Sequence, residues 1–443
     1  MKYFYVITFI SLLINPLYSQ EKLSAKDAVI TALENNYQMQ IADERIAIAE
    51  KNNKWSEAGL FPTVELTASV NNAIADNTNN PFTFTPGLIY NRSVSPGISA
   101  NWNIFTGMGV KITKERLAQL EKQSNGNANV VLENTAFDVL NAYYNVLMQD
   151  AQLSTLKALK KATTKQVQYE AKKYELGQSN QLALAQLQNQ LYSDSISIIQ
   201  QEVVLENAYR NLLLLMNVPI EELMEAPFPK LTDSLNIIIE PVSEEGVIQN
   251  VAENNQNLKN QMINQELQAM NTDMQRSFLY PTVNLQLAAT PSFGNFRSLS
   301  DNNLNAETQQ INYTANLSLR YSLFDNWKNK RAVEVAKIEE KISAMNTSEL
   351  KKELKTNAIN LIRQYEVRNQ LVNVANANVQ YARRAYKLGL ERFKLGQMNS
   401  IELSQLRNSL LNAEMEVINL QFQRIQTYME IYRISGNLLL NYK

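Results

Sequence analysis

The chain offers few side chains that could do chemistry. Its 443 residues contain no histidine and no cysteine. That excludes Ser-His-Asp catalysis, thiolate nucleophiles, disulfides, and zinc sites built on imidazole or thiolate. Carboxylate, lysine, tyrosine and serine chemistry remains. A hydrolase working through Glu253 or Glu402 would need two carboxylates facing each other across a cleft, and no spacing in the sequence presents such a pair. There is no Walker-type glycine loop to cradle a nucleotide. Lys and Arg number 42 against 43 Asp and Glu, a formal charge of −1, so no basic excess exists for nucleic acid. The residues read as a non-enzyme with no cofactor and no metal site.

The elements that would position any site are more informative. Residues 1–19 read as a signal peptide: Lys2 precedes an apolar run from Tyr3 to Ile14, Pro16 breaks it, and Ser19 is a small residue before a cut. No later stretch holds 18 uninterrupted apolar residues. A bilayer could therefore be crossed only by strands closed into a barrel.

The chain is also written twice. Glu34-Asn35-Asn36 recurs as Glu253-Asn254-Asn255, Pro62-Thr63-Val64 as Pro281-Thr282-Val283, Phe105 as Phe324, and Leu176-Gly177-Gln178 as Leu395-Gly396-Gln397, each 219 residues on. One offset held without a gap makes 20–218 and 243–443 structural copies. The proline-rich segment 219–242 reads as their connector.

Each copy has one internal order. A helix comes first, capped by Ser24 with Asp27 in the first copy and running to about Gly59; its counterpart runs from about Ser243 to Phe278. Period-2 segments follow: Val64–Val70 and Ile98–Ile104, then Val283–Ala289 and Tyr313–Leu323. These predict strands with one apolar and one polar face. Asn71–Arg92 and Thr290–Gln310, rich in Asn, Thr, Pro and Gly, read as long hairpin loops. Helical periodicity then takes over, predicting Met108–Glu175 with a return from Asn180 to Met216, and Trp327–Lys394 with a return from Asn399 to about Leu439. Leu403, Leu406, Leu410, Ala413, Val417 and Leu420 step by three and four, the spacing of a coiled-coil seam. At Ser124-Asn125-Gly126-Asn127 a local bend or a tolerated surface stretch is expected.

The strands admit two readings: a small soluble sheet packed on the helices, as in a periplasmic coiled-coil scaffold or adaptor, or part of a membrane barrel. Segments of about ten residues match a tilted transmembrane strand. Phe61, Trp102, Phe105, Tyr280, Tyr321, Phe324 and Trp327 gather at the helix-proximal ends, as an interfacial girdle would. Four strands cannot close a barrel, since the smallest have eight, and an open edge in lipid is costly. Two chains would supply eight strands and three would supply twelve. Only the larger ring leaves a passage, and Thr67, Ser69, Ser99, Asn101, Asn103, Asn284, Gln286, Asn316 and Ser318 would line it with polar groups. The expected fold class is mainly α with a transmembrane β portion, built from long antiparallel helical hairpins and a twelve-stranded barrel in a homotrimer.

The ordered, doubled set of features resembles the TolC-like outer-membrane efflux proteins: the signal peptide, Phe-Pro or Tyr-Pro before a strand, and the turns Tyr-Glu-Leu-Gly-Gln and Phe-Lys-Leu-Gly-Gln. The resemblance spans about Leu23 to Leu440. It implies an exit duct in outer-membrane lipid with a helical tunnel through the periplasm, serving drug efflux or type I secretion. The implied partners are a periplasmic adaptor and an inner-membrane transporter of the RND or ABC type. It places adaptor contacts at Leu176, Gly177, Gln178, Leu395, Gly396 and Gln397. It also places two acidic residues just after the second turn, where this chain has Glu402 and then Gln405. The family's acidic residue after the first turn is Ala183 here, and the arginine beyond the second turn is Met398. The resemblance thus implies an entrance with a thinner negative ring and a less ionic lock.

Overall fold

The computed structural model describes residues 22–219, 228–236, 242–299 and 305–441. The expected signal peptide lies outside the described residues, as do 220–227 and 237–241 of the expected connector. The elements in order are β1 (Lys22–Leu23), α1 (Ala25–Asn35), α2 (Tyr37–Asn52), β2 (Thr63–Asp76), β3 (Leu88–Thr106), α3 (Gly109–Glu175), α4 (Gln181–Leu215) and β4 (Lys230–Leu231). The second half supplies α5 (Glu244–Asn254), α6 (Gln256–Ser277), β5 (Thr282–Ser298), β6 (Asn305–Arg320), α7 (Lys328–Lys394), α8 (Ser400–Ile434) and a closing 3-10 turn at Leu438–Asn441. The described residues form two compact units, one within 22–41, 129–255 and 353–441, the other within 42–128 and 256–352. Each half of the sequence contributes to both.

The helix expected from Ser24 to Gly59 is two helices. Asn36 takes an extended conformation at the end of α1, donates its N–H to Ala32 O, and accepts the Gln38 N–H on its side chain at 2.7 Å. It ends one helix and starts the next. Asn255 breaks the second copy in the same place, between α5 and α6. The side-chain amides then reach equivalent carbonyls: Asn36 Nδ2 donates to Leu215 O at 3.4 Å and Asn255 Nδ2 to Ile434 O at 2.8 Å. Each satisfies a carbonyl left free at the end of a returning helix.

In the first unit α3 packs Ala136, Val139, Leu140 and Tyr143 against Ala28, Val29 and Ala32 of α1, Leu212 of α4, and Ile425 and Met429 of α8. The buried Tyr143 phenol donates to Asp233 Oδ2 at 2.7 Å, and that oxygen also accepts the Ala25 N–H at 2.8 Å. Burial first, then this hydrogen bond, raises the phenol above its usual range. The knot holds the parallel pair of β1 and β4 against the helices.

In the second unit, α6 meets α3 where the sequence reads Ser124-Asn125-Gly126-Asn127. The helix continues unbroken through this stretch. A Cβ on Gly126 would overlap Asn260 Oδ1, and Asn260 Nδ2 donates to Asn127 Oδ1 at 2.9 Å. The glycine permits close approach of a neighbouring helix rather than being a tolerated surface residue.

The same unit holds a four-stranded antiparallel sheet in the order β2-β3-β5-β6. Its strands outrun the apolar alternation. Asn71 pairs with Ser93 and pairing continues to Asp76 with Leu88; Thr290 pairs with Asn312 and pairing continues to Arg297 with Asn305. Most of the two expected loops is therefore strand, and the first connection shrinks to 77–87. Ladder pairing needs only backbone groups, so Asn-, Ser- and Thr-rich segments extend the ribbon where neither face needs to be apolar. At the other end, consecutive left-handed residues turn the chain into the long helices: Gly107 and Met108 in one half, Asn326 and Trp327 in the other.

Candidate functional site

The sheet register sorts side chains into two faces. Leu66, Ile98, Ala289 and Tyr313 form one cross-strand row, and Val64, Ala100, Leu287 and Ala315 form another. The intervening rows hold Thr63, Asn101, Gln286 and Asn316, then Asn103, Asn284 and Ser318, with Asn284 Nδ2 donating to Asn103 Oδ1 at 3.1 Å. The apolar face is uncovered: Leu66 is 81% exposed, Tyr313 80% and Leu317 66%. A soluble sheet would bury this face on its own helices. An apolar patch of this extent opposite a polar face has the chemistry of a surface made for lipid. The strand edges are open as well, because β2 and β6 each pair on one side only.

All seven expected girdle aromatics fall at one end of this sheet. Phe61 and Tyr280 stand two residues before β2 and β5, Trp102 and Phe105 lie in the last turns of the β3 ladder, and Tyr321, Phe324 and Trp327 follow β6. Six are exposed and Phe105 is half-buried. Trp102 Nε1 donates to Leu60 O at 2.8 Å, and the rings of Phe324 and Trp327 meet edge to face at 5.2 Å. Rings with an apolar body and a polar handle suit the level of lipid headgroups.

In the other unit the two long hairpins turn in the same way. Gly177 at φ +72° and Gly396 at φ +75° occupy the left-handed position after α3 and α7. Gln178 N–H donates to Lys173 O at 2.8 Å and Gln397 N–H to Arg392 O at 2.9 Å, closing paired C-terminal caps. Nothing lies within 4 Å of a Cβ built on either glycine, and Leu176 and Leu395 are both more than 70% exposed. Each turn therefore presents an uncovered leucine next to a rigid cap.

The expected entrance residues sit just beyond. Ala183 and Glu402 occupy equivalent third positions of α4 and α8, and their N–H groups are capped by Asn180 and Asn399 at 2.9 Å. Glu402 completes a capping box by accepting the Asn399 N–H at 3.3 Å. Its carboxylate is exposed yet already engaged with its own helix. Gln405, one turn on, is exposed. Met398 is half-buried and packs with Leu403, Phe393 and Tyr386, so the position where the resemblance implies an arginine belongs to the apolar core. Glu253 accepts from Gln249, one turn back, at 3.0 Å.

A buried polar cluster nearby escaped the sequence reading. Arg407 of α8 is paired with Asp194 of α4 at 2.5 Å, with the two side chains 3% and 6% exposed. Arg407 Nε also donates to Thr163 Oγ1 of α3 at 3.2 Å, and Gln190 Nε2 donates to Asp194 Oδ1 at 2.9 Å. Gln166 Nε2 donates to the Tyr386 hydroxyl at 2.7 Å, and burial raises that phenol's pKa. The signal was available in the spacing: Leu403, Arg407 and Leu410 lie on one buried stripe, which places a guanidinium among leucines.

A family model described as outer membrane efflux protein matches residues 29–218 and again 247–437. The CmeC outer membrane channel of Campylobacter jejuni has the same fold, with a TM-score of 0.77 at 16% identity over 94% of this chain and 86% of that one. The outer membrane protein VceC of Vibrio cholerae gives 0.74 at 14% identity, over 93% and 96%. The open-state MtrE outer membrane channel of Neisseria gonorrhoeae gives 0.71 at 17%, over 94% and 89%. No curated protein sequence matches the chain.

Proposed function

Because the chain belongs to the outer membrane efflux protein family, whose work is that of an exit duct in the outer membrane, we propose that three copies assemble into one passive conduit. The observation that carries this reading is the four-stranded sheet with an uncovered apolar face, a polar face and two free edges. Three such sheets joined edge to edge supply twelve strands and leave a water-filled passage lined by the Asn, Gln, Ser and Thr rows.

Unpartnered helix faces support the same assembly. Tyr192, Ile196, Ile199 and Val203 of α4 step by four and three, all exposed, and so do Val335, Ile338, Ile342 and Met345 of α7. These have the spacing of coiled-coil seams and no intramolecular partner among the described residues, fit for the helices of a neighbouring copy.

Within the assembly the turns at Leu176-Gly177-Gln178 and Leu395-Gly396-Gln397 are the contact for a periplasmic adaptor. An inner-membrane transporter of the RND or ABC class supplies the energy. Ala183, Met398, Glu402 and Gln405 border the entrance, which opens by a hinge or shear of the hairpins. With one carboxylate per chain, each already part of a helix cap, the ring exerts a weak field on cationic cargo. Cargo choice falls to the partners.

The test is conductance. Purified protein added to a planar bilayer is expected to give discrete single-channel steps, from a species that runs on gels as a heat-modifiable trimer. A protein that stays soluble without detergent and never conducts would instead be a scaffold.

A further inference from the structure

We propose that Glu65 of one chain and Arg320 of the next face each other across the barrel seam, as an ion pair on the lumenal face that fixes the register between subunits. The inference rests on the trimeric reading above. The seam must join β6 of one copy to β2 of its neighbour, since these are the two free edges. The two strands run in opposite directions, so they pair antiparallel. Their charges are few: Glu65 and Asp76 on β2, Glu307 and Arg320 on β6. Arg320 is the one cation on either edge. Both Glu65 and Arg320 are exposed, and neither has an ion-pair partner in its own chain among the described residues.

Alternation places both on the polar face. Glu65 lies two residues from Thr67 and shares a row with Ser99, and Arg320 lies two residues from Ser318. Register then narrows the choice. The row that begins at Thr63 passes through Asn101 and Gln286 to Asn316. For polar to meet polar, Asn316 must next face an odd-numbered position of the neighbour's β2; Thr63 or Glu65 would leave the strands tilted by less than about 20°, so the choices are Thr67, Ser69 and Asn71. Each choice sets a stagger per subunit, and three subunits then tilt the strands by roughly 35°, 46° or 54°, given a rise of about 3.3 Å and a strand spacing of about 4.8 Å. Barrels of this type tilt by about 35–45°, which leaves Thr67 and Ser69. The Thr67 closure sets Asp76 directly opposite Glu307, two like charges. The Ser69 closure avoids that clash and sets Arg320 directly opposite Glu65. The edge charges thus select one of two geometrically allowed rings.

The absence of native cysteine makes the test clean. Glu65→Cys with Arg320→Cys, and Leu66→Cys with Leu319→Cys, are neighbouring rungs of the proposed register, so one of the two pairs falls in the closer, non-hydrogen-bonded class. Oxidation of the assembled protein in membranes is expected to convert at least one of these double variants to a covalent trimer, while the offset pair Thr67→Cys with Asn316→Cys stays largely uncrosslinked. In parallel, Arg320→Glu is expected to lower the dissociation temperature of the trimer on gels by 10 °C or more, and adding Glu65→Arg to restore most of it. A wild-type trimer in which the offset pair crosslinks best, or in which Arg320→Glu changes nothing, overturns the seam assignment and leaves the duct intact. A wild-type chain that runs as a monomer sinks the trimeric reading itself.

Discussion

Replacing Arg407 by leucine is expected to destabilise the protein by about 3–5 kcal/mol, the usual cost of removing one partner from a buried ion pair. The guanidinium is almost wholly enclosed among three helices, where it meets the Asp194 carboxylate at 2.5 Å and the Thr163 hydroxyl at 3.2 Å. Without it, Asp194 retains hydrogen bonds from Gln190 and the Thr163 hydroxyl but no countercharge. Joint replacement of Arg407 and Asp194 by leucine is expected to recover most of the loss, because the desolvation cost of both charges disappears together. Thermal unfolding of the detergent-solubilised protein, single variants against the double, measures the difference. Arg363→Ala is the control. Its partner Glu366 and the arginine itself are both more than half exposed, so the change should stay within about 1 kcal/mol.

The second large effect separates adjacent residues by face. Ile98→Arg is expected to cost roughly 2–4 kcal/mol per subunit if it lies near the middle of the hydrocarbon, where an arginine on the lipid face is most unfavourable. Ile98 sits between Leu66 and Ala289 on the exposed apolar face, four residues beyond the aromatic Trp102. Ser99→Arg, the very next position, points to the polar face beside Glu65 and Ala288. There the charge stays in water, and assembly should be almost unaffected. Quantifying trimer in the outer-membrane fraction reads both. Equal tolerance of the two substitutions would mean that neither face meets lipid.

Much of this architecture was legible in the residues because long elements carry long periods. Proline-free helical periodicity placed the first long helix at Met108–Glu175, and α3 spans Gly109–Glu175. The turns at Gly177 and Gly396 were visible because a left-handed cap requires glycine. The apolar band of the sheet was legible from alternation, whereas its polar extension was not. Hydrophobic pattern reports which face avoids water, and a ribbon standing in water on both sides carries no such mark. The helix break at Asn36 was hidden for a related reason. Glu34-Asn35-Asn36 served as a landmark of the duplication, while Asn36 caps through local bonds to Ala32 and Gln38 and meets the Leu215 carbonyl, 179 residues away, only in the folded chain. The Arg407–Asp194 pair is the clearest case. The Leu403-Arg407-Leu410 spacing puts the arginine on a core-facing stripe, but Asp194 alone looks like an ordinary charge on a helix, and only the packing of α3, α4 and α8 brings the two together.

In the proposed assembly one face of the sheet meets lipid and the other meets water. The chain contains no cysteine, so a single introduced thiol at each position from Val283 to Ala289 carries a spin label without background. Collision with oxygen reports lipid, and collision with a polar nickel chelate reports water. In reconstituted protein a period of two is expected: Val283, Leu285, Leu287 and Ala289 reached by oxygen, Asn284, Gln286 and Ala288 reached by nickel. Uniform access to nickel along the strand, or no alternation at all, would contradict it.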